Sequence, residues 1–165
     1  MFILEQDRDN AMLLRQLRSK VNQTSLPTAE FNVNIGGVKI EHFALQVPDP
    51  VAMAEWYVKH LGFTIARAGG EPSHARFLAD SDGSVMLEIY RNPAASIPDY
   101  GKADPLLMHV AYVSTNPAAD RAQLVQAGAV VVDDLTTTPA GDAIIMLRDP
   151  WGIPIQLVKR AKPML

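Results

Sequence analysis

Cysteine is missing from all 165 residues, which excludes disulfides and thiolate metal sites and leaves the redox compartment open. Also missing is any apolar run approaching the ~20 residues that span a bilayer. The opening M-F-I-L-E-Q-D-R-D-N places acids where a signal peptide carries a basic region, so the expected location is the cytoplasm. Positive charge is not in excess either. Fifteen Lys and Arg stand against 18 Asp and Glu, for a net charge of -3, which removes the electrostatic basis for binding nucleic acid or an anionic membrane. No serine or cysteine nucleophile motif, phosphate-cradling glycine loop or dinucleotide fingerprint occurs.

What is there is an ordinary globular composition, 48% apolar and 20% charged, long enough for one domain with its own core. Leu4, Ala11, Leu14, Leu17 and Val21 recur at near-helical spacing with charges between them, which predicts an amphipathic helix within residues 3–21. It would pack on its own domain or form a dimer contact. A polar linker follows, and Gly36-Gly37 marks a turn. Residues 1–37 thus read as an extension, and residues 38–160 as the domain proper.

From residue 38 the chain repeats itself. A strand at 38–47 leads to Asp49-Pro50, an N-cap with proline at the first helical position. The helix that follows ends at Gly62. Short strands near 63–67 and 75–79 precede a turn at D-S-D-G and a strand through V-M-L-E-I-Y-R-N, residues 85–92. The second half begins with a strand at 106–113, then Asn116-Pro117, a helix ending at Gly128, and strands near 129–133 and 143–147. A turn at D-P-W-G and the strand I-P-I-Q-L-V-K complete it. His42 and His109, Asp49 and Asn116, and Pro50 and Pro117 are each 67 positions apart. Glu88 and Gln156 are 68 apart, and Gly83 and Gly152 are 69 apart. A β-α-β-β-β unit is used twice, as modules 38–91 and 106–160 joined by a Pro-, Gly- and Asp-rich connection over 92–105. Pro154 cannot donate to a ladder, so the last strand starts there or is unpaired on one side at that point.

Side chains alternate faces along a strand. His42, Ala44 and Gln46 share one face of the first strand, and the apolar Phe43, Leu45 and Val47 share the other, which should meet the helix. His109 and Ala111 repeat the pattern, with Met108, Val110 and Tyr112 opposite. Glu88 falls with Met86 and Tyr90, opposite Val85, Leu87 and Ile89. Gln156 lies opposite Ile155 and Leu157. A lone carboxylate buried in an apolar strand costs several kcal/mol or shifts its pKa unless a cation stands beside it, and no Lys or Arg flanks Glu88 at i±2. Each half therefore offers one His and one Glu or Gln on the face away from its helix. Such a set of donors suits Zn, Ni, Co, Mn or Fe(II). His60 and His74 are expected to be solvated. Arg67, Arg76, Arg91 and Arg148 are the cations that could meet a polar substrate. Tyr90 could line the cavity, and Trp151 could stand at its rim.

The segments I-E-H-F-A-L-Q-V, W-Y-V-K-H-L-G-F, M-L-E-I-Y, M-H-V-A-Y-V and D-P-W-G-I-P-I-Q-L-V resemble the vicinal oxygen chelate superfamily. This group holds the glyoxalases, bleomycin-resistance proteins and type I extradiol dioxygenases. The resemblance implies an α+β, glyoxalase-like fold whose two βαβββ modules curl a mixed sheet around a central cup. The modules pair within one chain or across a dimer, and a homodimer is expected. It places metal ligands on His42, Glu88, His109 and Gln156, with a divalent ion as cofactor. Glyoxalase I enzymes commonly have His or Gln, Glu, His and Glu there, and methylmalonyl-CoA epimerases look like His, Gln, His and Glu. This chain departs at Gln156, which cannot take up a proton, so Glu88 is left as the base. The implied function is a metal-dependent lyase or isomerase acting on a small oxygen-chelating substrate through an enolate-like intermediate, with Tyr90 and Arg148 as substrate contacts. The alternatives are an Fe(II) extradiol-type dioxygenase and a metal-free small-molecule-binding protein.

Overall fold

The computed structural model describes residues 37–164. The helix expected within residues 3–21 lies outside the described residues. From His42 onward the elements run β1 (His42–Gln46), α1 (Pro50–Leu61), β2 (Thr64–Ala68), β3 (Arg76–Ala79), β4 (Met86–Tyr90), β5 (Val110–Val113), α2 (Pro117–Gln126), β6 (Val130–Thr137), β7 (Ala143–Arg148) and β8 (Pro154–Lys159). This is β-α-β-β-β twice over.

The helix starts are built as the sequence suggests. Asp49 accepts hydrogen bonds from the amides of Val51 and Ala52 at 3.1 and 3.0 Å, with Pro50 opening the helix. Asn116 does the same for Ala119 at 3.3 Å. Gly62 ends α1 at φ 73°, a left-handed conformation that costs glycine little. Strand starts are less faithful to the pattern. β1 begins at His42 rather than 38, and β5 begins at Val110, so His109 stands just before its strand. β8 does start at Pro154, the position where a missing amide does no harm to the ladder.

Each module forms one four-stranded mixed sheet, in the orders β1-β4-β3-β2 and β5-β8-β7-β6. The β1/β4 and β5/β8 pairs are parallel, and the others are antiparallel. Both histidine-bearing ends therefore belong to edge strands. Each helix lies on its own sheet, over Leu45, Leu78, Leu87 and Ile89 in the first module and Ile145, Leu147, Ile155 and Leu157 in the second, all buried. Phe43 shares the apolar face of β1 but is 37% exposed, because it lies near the strand start.

The modules meet through α1. Tyr57, fully buried, donates its hydroxyl to Asp149 in the turn before β8 at 2.8 Å. The Trp56 indole donates to the carbonyl of Ala127 at 2.8 Å, and Phe63 packs edge-on against Tyr112 at 5.8 Å. Tyr112 thus points into the core, as its parity requires. The connection 92–105 is pinned at both ends. Gln46 donates to the carbonyl of Asn92 at 2.9 Å and accepts from its amide at 2.9 Å. Arg148 donates to the carbonyls of Tyr100 and Ala103, both at 2.6 Å, and of Gly152 at 3.0 Å.

Candidate metal centre

Strand register fixes where the donors stand. In the first sheet Ala44 lies beside Glu88, Glu88 beside Phe77, and Phe77 beside Arg67. In the second sheet the equivalent row is Ala111, Gln156, Met146 and Asp133. Both rows face away from the helices. The small side chains of Ala44 and Ala111 leave space beside Glu88 and Gln156.

His42 and Glu88 converge. The Nε2 of His42 lies 3.4 Å from a carboxylate oxygen of Glu88, with side-chain exposures of 33% and 21%. Two neighbouring atoms define the ring's chemistry. Its Nδ1 faces the Glu41 carboxylate, which only accepts, so Nδ1 carries the proton. In a neutral ring Nε2 then presents a lone pair toward the Glu88 carboxylate, and a cation between the two relieves that contact. A separation of 3.4 Å is also what two ligands at about 2.0–2.1 Å from one ion subtend at a near-tetrahedral angle.

His109 shows the same arrangement. Its Nδ1 donates to the carbonyl of Pro105 at 2.9 Å, which leaves Nε2 as the acceptor. A hydrogen bond on the remote nitrogen that fixes ring orientation and tautomer is the usual support of a metal-binding histidine. The side chain of Gln156, half-buried, has no hydrogen-bond partner among the described residues. The residues therefore fit a divalent cation, with His42 and Glu88 as a converged half-site and His109 and Gln156 as the equivalent donors of the second module. Among the described residues no three His, Cys, Asp or Glu side chains converge, so His109 does not join His42 and Glu88.

The family model of the glyoxalase/bleomycin resistance protein/dioxygenase superfamily matches residues 39–157. The chain belongs to this superfamily. Among solved structures, SMU.1112c is 26% identical, with a TM-score of 0.60 over 74% of this chain and 98% of that one. A glyoxalase family protein from Bacillus cereus shares the fold at a TM-score of 0.68 and 14% identity, covering 79% and 99% of the two chains. TnmS3, an antibiotic binding protein from Streptomyces sp. CB03234, does so at 0.62 and 21%, covering 77% and 99%. No protein of curated function matches the chain in sequence.

The remaining sequence candidates divide clearly in this glyoxalase-like frame. Tyr90 pairs with Gln46 on the donor-bearing face and is half-buried. Arg148, expected to touch substrate, has its guanidinium bonded to three backbone carbonyls and holds the connection. Arg76 is likewise engaged, by the carbonyls of Gly69, His74 and Ala75. His60 packs against Trp56 at 5.2 Å, and His74 pairs with Glu71 at 3.0 Å. Trp151 packs edge-on against Trp56 at 6.3 Å, within the contact between modules.

Sequence reasoning overlooked three groups. Glu41 and the Pro105 carbonyl orient the histidines, and Asp149 ties the modules together. The adjacency E-H in the first strand was the only available signal for the first, since neighbours on a strand normally face apart.

Proposed function

We propose that the protein is a metal-dependent enzyme of glyoxalase or epimerase type, a lyase or isomerase acting on a small oxygen-chelating substrate. The observation that carries this reading is the His42–Glu88 pair, 3.4 Å apart, with the opposite nitrogen of each histidine already bonded to oxygen. His42, Glu88, His109 and Gln156 would hold the ion. Bound there, a divalent metal would supply Lewis-acid polarisation of a substrate carbonyl. Glu88, the only carboxylate of the four, would take the proton from the carbon beside that carbonyl and return it to the same carbon or to its neighbour. Gln156 would contribute an amide oxygen and no proton chemistry.

The two half-sites would be brought together by a second copy of the chain. Supporting this, β1 and β5 each have an unpaired edge among the described residues. Val113, Leu106 and Leu107 beside β5 are 86%, 84% and 82% exposed, apolar area that an association would cover.

The test is metal titration followed by proton exchange. The wild-type protein should bind a divalent ion, and His42→Ala and His109→Ala should each weaken binding by about tenfold or more. In D2O, the metal-loaded protein should exchange the carbon-bound proton of a substrate drawn from a panel of 2-hydroxy ketones and 2-keto acids. Glu88→Gln should lose that exchange by about 100-fold or more while melting like wild type. Full exchange by Glu88→Gln would sink the assignment. A second reading, a small-molecule-binding protein without turnover, draws on the gathering of only two donors among the described residues. Ligand binding that is indifferent to metal and accompanied by no exchange would favour it.

A further inference from the structure

Arg67 is the one cation of the four sequence candidates that stands on the donor-bearing face with its guanidinium free of hydrogen bonds among the described residues. The pairing of β2 with β3 slips between Ile65 and Arg67, so Ala66 is an extra residue and the alternation of β2 is shifted by one. The slip turns Arg67 from the helix side to the side of Phe77 and Glu88. Its guanidinium carbon lies 6.0 Å from the centroid of the Phe77 ring, and the same ring lies perpendicular to the His42 ring with centroids 5.5 Å apart. Phe77 is therefore a floor with the His42–Glu88 pair at one side and the guanidinium at the other. Arg67 is exposed and makes no hydrogen bond or ion pair among the described residues. Arg76 and Arg148 are held by backbone carbonyls, and Arg91 lies by Pro48, Asp49 and His74 on the helix side.

The second module carries an equivalent slip between Val131 and Asp133, which places Asp133 in the position that Arg67 holds in the first. The two halves match in backbone and differ in charge. A substrate lying across Phe77 would meet a cation only at the Arg67 end.

We propose that Arg67 is a specificity-determining residue that binds a carboxylate of the substrate. The ligand would be a small acid whose chelating oxygens would reach an ion held by His42 and Glu88 and whose carboxylate takes the planar, two-pronged guanidinium. Glu88 and Arg67 stand two strand spacings apart, about 10 Å between backbones, a span that suits a molecule of four or five heavy atoms between its two ends. This rests on the metal-site reading for the chelating end and is independent of it for the carboxylate end.

The experiment uses two hydroxamates with the same chelating group, one ending in a carboxylate and the other in a carboxamide. Their affinities for the metal-loaded protein are compared by calorimetry. The wild type should prefer the carboxylate by about tenfold. Arg67→Met should erase the preference, Arg67→Lys should keep part of it, and metal affinity should be the same in all three. A preference that persists in Arg67→Met overturns the proposal. A separate arm needs no metal. In the metal-free protein, succinate should shift the Arg67 Nε–H resonance while succinamide leaves it in place, with Arg91→Met as a control that changes nothing. An unmoved Arg67 resonance overturns the proposal, and a moved one supports it even if the protein takes up no metal.

Discussion

Asp149 is a carboxylate placed where a carboxylate is costly. It is 3% exposed, and burial pushes its carboxyl up from 3.8 to about 6 despite hydrogen bonds from Tyr57, Trp151 and Ile153. The folded protein therefore favours the protonated form more than the unfolded chain does. Below about pH 4 both states hold the proton and the penalty is absent. As pH rises through the folded value of about 6, a penalty on the order of 3 kcal/mol accumulates. Other carboxylates act in the opposite sense: Asp142, hydrogen-bonded by the Ala161 amide and Arg160, sits below its usual value. The measurable quantity is thus a difference. The urea midpoint of Asp149→Asn minus that of wild type should grow between pH 4 and 6.5 and then level off. A difference that stays flat would mean that Asp149 is ionised at little cost. At Glu88 the same scale of argument predicts chemistry rather than stability. Glu88→Gln keeps a ligand oxygen and loses the base, so exchange should fall while the fold holds.

The elements show why some of the site could be read in advance. Helix starts, glycine stops and paired turns recur at a constant offset, so the two modules declare themselves. Plain alternation puts His42 and Glu88 on one face because β1 and β4 contain no irregularity. The same rule fails at Arg67. Counting from Thr64, alternation assigns Arg67 to the helix side, and only the extra Ala66 reverses it. Arg148 was unreadable for another reason. Its partners are carbonyls in an irregular segment 45 and 48 positions away, and no periodicity encodes them. Arg148 clamps the connection 92–105. Arg148→Met should strip charge-assisted bonds from the carbonyls of Tyr100 and Ala103 and destabilise the protein by about 1.5–3 kcal/mol. The effect should be local as well as global, with faster proteolysis within 92–105 and metal affinity unchanged. A variant with wild-type stability and weakened substrate binding would restore the original reading.

At the scale of the whole molecule, the deciding question is which halves face each other. Within the chain, Tyr57 and Trp56 of α1 and Phe63 just after it join the modules, and His109 does not converge with His42 and Glu88. If two copies supply one half each, a symmetric dimer holds two sites, each with His42 and Glu88 from one chain and His109 and Gln156 from the other. Mixing His42→Ala with His109→Ala chains then has a definite consequence. In the mixed dimer one site collects both substitutions and the other collects neither. Random exchange makes half of all dimers mixed, so about a quarter of the wild-type metal capacity should reappear from two inactive preparations, as the two-fold symmetry requires. Pairing within a chain gives no such recovery, because every site then carries one lost histidine. Metal retained after exchange and gel filtration measures the fraction directly. Recovery near a quarter would assign the centre to the dimer, and recovery indistinguishable from zero would assign each centre to a single chain.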